Sequence, residues 1–181
     1  MTIYIALLRG INVGGKNKLP MKDLSALIAD LGGQQIKTYI QSGNAVFRHQ
    51  TSNSIELSRE LEADIRKTHE FEPRVLLLSM SELAKAVARN PFPAAEADPK
   101  TLHLYFLAAI PQHPDIESLE VIKGDRETFQ LDQTIFYLHA PNGIGRSKLA
   151  AKAEKLLGVT ATARNWRTVS KLMRLAESIS P

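Results

Sequence analysis

The chain has 181 residues, of which 44% are apolar, 6% aromatic and none cysteine. Zero Cys excludes disulfides, thiolate metal sites and a Cys nucleophile. The longest apolar run, Leu104 to Ile110, is far short of the roughly 20 residues of a membrane span. Together with the lack of a basic leader before Ile3, this points to a cytoplasmic protein with no membrane partner.

The net charge of +4 is unevenly spread. Residues 1–22 hold Arg9, Lys16, Lys18 and Lys22 and no acid, so they carry +4, residues 23–142 carry −6, and residues 143–181 carry +6. Basic ends around an acidic middle suggest anionic ligands. Solvated helix faces are the plain alternative.

Thr2 to Leu8 is short and apolar and ends at Arg9-Gly10, which predicts a buried strand. A loop with Gly10, Gly14 and Gly15 follows. Pro20 suits a first helical turn, and Leu24, Leu27, Ile28 and Leu31 give one apolar face, stopped by Gly32-Gly33. Ile36 to Gln41 and Asn44 to Arg48 predict two strands around a Ser42-Gly43 hairpin. Ser54 is placed to cap a helix with Ile55, Leu61 and Ile65. Arg74 to Ser79 predicts a strand and Ser81 to Arg89 a short helix.

Residues 90–100 contain three Pro and no periodicity, which predicts a linker or an ordered connecting loop. The order then repeats. Strands are expected at Leu102 to Ala108, Glu127 to Leu131, Ile135 to His139 and Val159 to Thr162, with a turn at Asp132-Gln133. Helices are expected at Pro114 to Ile122, at Arg146 to Leu157, and after an Asn165 cap. Each half reads β-α-β-β-α-β plus one helix. The fold class is therefore α+β, two ferredoxin-like plaits packed as one body. Boundaries are expected at 1–90, 91–100 and 101–181.

In this plait strands 1 and 2 run the same way. The loop after strand 1 and the hairpin after strand 2 then share one edge. Gly lets backbone N–H groups turn toward an anion, and a helix start adds a positive end. Arg9, Lys16 and Lys18 would supply charge, and Asn12, Asn17, Gln41, Ser42 and Asn44 neutral hydrogen bonds. A tight connection with solvated Lys side chains is the competing account. The run is neither a P-loop nor a dinucleotide fingerprint.

A second basic cluster combines two segments. Asn142-Gly143-Ile144-Gly145-Arg146-Ser147-Lys148 again joins a strand to a helix through Gly. Thr162 to Thr168 flanks the only Trp, Trp166, with Arg164 and Arg167 beside the Asn165 cap. Such a pair can grip a phosphate with a base stacked nearby, or simply begin a helix.

Four functions compete. The first is binding of a phosphorylated small molecule or nucleotide. The second is RNA or single-stranded DNA binding, for which Tyr4 is the one aromatic on strand 1 and the stacking signature is absent. The third is a hydrolase or transferase, and no catalytic residue is readable. The five His show no close ligand spacing, so no metal or cofactor is expected; His103 and His139 lie on neighbouring strands. The fourth is a structural or assembly role, as monomer or homodimer, because both faces of strands 1 and 5 are apolar.

The run Tyr4 to Asn17 (YIALLRGINVGGKN) resembles the opening signature of the domain-of-unknown-function 1697 family, found in bacteria. Thr38 to Asn44 (TYIQSGN) resembles its hairpin signature. Asn90-Pro91-Phe92, Arg146 to Leu149 and Arg164 to Thr168 resemble its later motifs. The resemblance implies two ferredoxin-like units. It implies no substrate, cofactor or mechanism.

Overall fold

The structure is a computed structural model and describes residues 1–180. In the first half, strands β1 (Thr2–Arg9), β2 (Gln34–Thr38), β3 (Asn44–His49) and β4 (Arg74–Ser79) form one antiparallel sheet in the order β2-β3-β1-β4. Helices α1 (Met21–Asp30) and α2 (Ser54–His69) cover one face. Alternation along the strands selects which residues meet them. Tyr4, Ala6 and Leu8 of β1, Phe47 of β3 and Leu77 of β4 pack with Leu24 and Ile28 of α1 and Leu61 and Ile65 of α2. The opposite face carries Ile5, Leu7 and Val46, which are equally buried.

The second half repeats the design. Strands β5 (Leu102–Leu107), β6 (Thr128–Asp132), β7 (Ile135–His139) and β8 (Ala161–Asn165) are ordered β6-β7-β5-β8. Helices α4 (Ile116–Ile122) and α5 (Lys148–Leu157) enclose Tyr105, Leu107, Phe136 and Leu138. Helix α3 (Met80–Ala88) follows the first unit and α6 (Trp166–Glu177) the second. The expected α+β class and the two ferredoxin-like units are both present.

Several element ends differ from expectation. Strand β2 stops at Thr38 rather than Gln41, because Ile40 and Gly43 take positive φ (48° and 75°) and turn residues 39–43 into a loop. Asn53, not Ser54, caps α2: its side chain accepts from Glu56 N at 3.1 Å, and its amide donates to the Glu56 carboxylate at 2.9 Å. That is a reciprocal cap. The β6–β7 turn sits at Gln133-Thr134, with Gln133 at φ 52° and Asp132 paired to Ile135. Strand β8 begins two residues later than expected and takes in Arg164 and Asn165.

Compactness divides the chain at Lys85/Ala86 and groups residues from Lys171 onward with the first unit. Within the first unit, Lys37 of β2 donates to Ser178 at 2.9 Å, just past α6. Residues 90–100 are ordered as part of the second unit. Pro93–Ala97 forms a 3-10 turn with Ala95 buried, and Phe92 packs on the His139 ring. In that unit Tyr137 also donates to the Ala86 carbonyl at 2.8 Å, which sets the end of α3 against it. Among the described residues no helix is long and apolar enough to cross a membrane.

Candidate anion-binding edge

The first-unit loops meet as the topology requires. Leu7 pairs with Asn44, Leu8 N donates to Gly43 O at 2.8 Å, and Asn12 Nδ2 donates to Gln41 O at 2.7 Å. The Gly-rich run is itself a small hairpin. Val13 bridges Lys16, Lys16 N donates to Val13 O at 3.1 Å, and Gly14 and Gly15 both take positive φ. Only residues tolerant of that conformation allow so tight a turn.

Three of the polar residues expected to hold ligand hold the chain instead. The Asn12 amide also donates to Leu19 O, and its oxygen accepts from Leu19 N, both at 2.9 Å. Asn17 Nδ2 donates to Gly10 O at 2.9 Å. Asn44 is fully buried and donates to Tyr39 O at 3.1 Å and Ser42 Oγ at 2.9 Å. Asn12 and Asn17 both take positive φ (55° and 51°), where the loop folds back on itself. Gln41 and Ser42 lie exposed on the hairpin.

The charged residues behave differently. Arg9, Lys16, Lys18 and Lys22 are all exposed at this end. A fifth cation joins them that sequence reasoning overlooked. Arg74 opens β4 directly opposite Arg9 and is also exposed. Alternation puts both Arg side chains on the face away from the helices. Like charges opposed across a ladder destabilise it. The only signal for Arg74 was its place at a strand start, and pairing β4 with β1 residue by residue was needed to find it.

The second basic cluster does not come together as one site. Arg146 and Lys148 line an open cleft of about 1210 Å³, with Val121 to Glu127 on its other wall. Arg126 spans it, donating to Asn142 Oδ1 at 2.6 Å. Arg164 instead sits within β8 beside Leu104, where burial pulls its pKa down to about 10, and it donates to Ala163 O at 2.9 Å. Asn165 caps α6, accepting from Thr168 N at 3.0 Å, and Trp166 is buried. Neither Arg164 nor Trp166 lines the cleft. Tyr4, the aromatic considered for base stacking, is buried on the helix-covered face. Among the described residues no group of three His, Asp or Glu is placed to hold a metal ion.

Residues 1–137 match the family described as "Protein of unknown function (DUF1697)". The chain belongs to the DUF1697 family. The match takes in the first unit and its edge, and ends before the Arg146 and Arg164 motifs. Among solved structures, a "conserved bacterial protein SP0830 from Streptococcus pneumoniae" is similar, with a TM-score of 0.71 and 24% identity. The likeness covers 97% of this chain and 98% of that one, and it shows the shared fold. No curated protein matches the chain.

Proposed function

We propose that this DUF1697 protein binds a phosphate-bearing small molecule or nucleotide at the loop end of its first unit. The observation that carries the reading is the opposition of Arg9 and Arg74, with Lys16 and Lys18 on the loop that follows Arg9. An anion between two opposed guanidinium groups relieves their repulsion and accepts forked hydrogen bonds. The inward Asn amides support the reading in a different way from that expected. They stiffen the loop, so little conformational entropy is lost when a ligand arrives. Gln41 and Ser42 remain at the surface as neutral donors and acceptors.

The test is calorimetric titration with inorganic pyrophosphate at low and high salt. Saturable binding that weakens with salt is expected, and Arg9→Ala with Arg74→Ala abolishes it. Equal binding by that double variant, or none by the parent protein, contradicts the reading.

A further inference from the structure

Two aliphatic side chains stand exposed where the first-unit loops meet. Val13 is 68% exposed beside the tip of the Gly-rich hairpin, and Ile40 is 51% exposed on the hairpin after β2. The 2.7 Å bond from Asn12 to the Gln41 carbonyl joins the residue before Val13 to the residue after Ile40. Both apolar side chains therefore belong to one loop surface.

Neither position needs such a residue for folding. Gly14 and Gly15, at φ 58° and 75°, supply the turn beside Val13. Ile40 holds φ 48°, which a β-branched residue adopts only under strain. Asn or Gly would relieve that strain. Strain kept at an exposed position points to a use for the side chain outside the fold.

Charged and polar groups adjoin this surface. Val13 pairs with Lys16 across the small hairpin, so the two side chains stand side by side on one of its faces. Asn17, between Lys16 and Lys18, donates to Gly10 O at 2.9 Å, which brings that arm of the hairpin back beside Arg9. Gln41 is exposed next to Ile40, and the bond from Asn12 fixes the backbone that carries its side-chain amide.

We propose that Val13 and Ile40 form an apolar platform for the base of a nucleotide whose phosphates are held by Lys16 and Arg9, an inference that rests on the anion-binding reading above. A nucleotide joins a polyanion to a flat ring with apolar faces. The ring gains dispersion contacts and loses exposed surface against aliphatic side chains. The Gln41 amide presents a donor and an acceptor side by side, as the edge of a base requires. A free phosphate has nothing to place on Val13 or Ile40. A sugar phosphate would set hydroxyl groups against them and leave those hydroxyls unpaired.

The experiment titrates the full chain calorimetrically with pyrophosphate and with ADP, GDP, CDP and UDP at one salt concentration. At least one nucleoside diphosphate should bind about tenfold more tightly than pyrophosphate, since two aliphatic side chains become partly covered. The preference should disappear in the double variant Val13→Ser, Ile40→Asn. That variant's thermal midpoint should hold or rise, because Asn tolerates the φ of residue 40. Pyrophosphate binding with no preference for any nucleoside diphosphate overturns the platform and leaves the anion edge standing. A preference that survives in the double variant also overturns the platform. Nucleotide binding that is lost in the double variant, with no pyrophosphate binding by the parent protein, keeps the platform and overturns the bare-anion edge. Absence of binding by every probe overturns both.

Discussion

Asn12 is the residue whose role changed most between sequence and structure. Its amide makes two donations and accepts one, tying the Gly-rich hairpin to Leu19 and Gln41. Each such bond contributes about 0.5–1.5 kcal/mol net, so Asn12→Ala should cost about 2 kcal/mol in denaturant unfolding. A ligand donor on the surface would cost almost nothing. A polar residue in a Gly-rich loop is legible from sequence, but the direction of its amide depends on the φ of Asn12 and Asn17, which composition does not reveal. His103 gives a second residue-level expectation. It is buried with Nδ1 unpaired, and burial holds its pKa below the usual imidazole range. The unfolded chain, titrating near about 6.5, then takes up a proton first as pH falls. Stability should therefore drop as pH descends through about 6.5 toward the lower folded value, and His103→Gln should flatten that limb. At the other extreme, burial pushes Tyr105 and Tyr137 up to about 12. The unfolded chain ionises first, near about 10, so stability should fall above that pH. Denaturant midpoints across pH check both limbs.

At the scale of elements, glycines with the same conformation should respond differently. A Cβ on Gly43 would lie 2.6 Å from the Leu8 Cβ and 2.8 Å from Ile11, at a φ of 75°. A Cβ on Gly143, at φ 76°, meets nothing within 4 Å. Gly143→Ala should cost about 1 kcal/mol of backbone strain, whereas Gly43→Ala adds crowding for a total of about 3 kcal/mol. Thermal unfolding of the pair separates the two contributions. Ser147 caps α5 by accepting from Ala150 N at 2.9 Å, so Ser147→Ala should cost about 1 kcal/mol. Element order was legible throughout because apolar spacing of 2 and 3.6 is strong in β1, α1, β5 and α5. Their ends were less legible. The hairpin at residues 39–43 breaks early through Ile40, a β-branched residue at φ 48° that no propensity favours there. The β8 boundary moved because Arg164 and Asn165 continue the ladder opposite Leu104 and His103.

At the scale of the whole molecule, the charge blocks separate into two different surfaces. The N-terminal block becomes a cationic edge of the first unit, completed by Arg74 from a segment whose net charge is negative. The C-terminal block is divided: Arg146 and Lys148 line a cleft of the second unit, and Arg164 lies within a sheet. Topology made the shared edge legible, since strand order alone carries both loops to one end. The contact between Asp23 and His69 was not legible, because the two lie 46 residues apart and meet only when α1 and α2 pack side by side. An amide-resolved NMR titration with pyrophosphate at low salt tests the central claim most directly. The amides of Gly10, Gly14, Gly15, Ser42 and Arg74 should shift together and saturate, while those of Gly143 and Gly145 stay still. Shifts centred on Gly143 and Gly145, or no saturable shift at the first-unit edge, would contradict it.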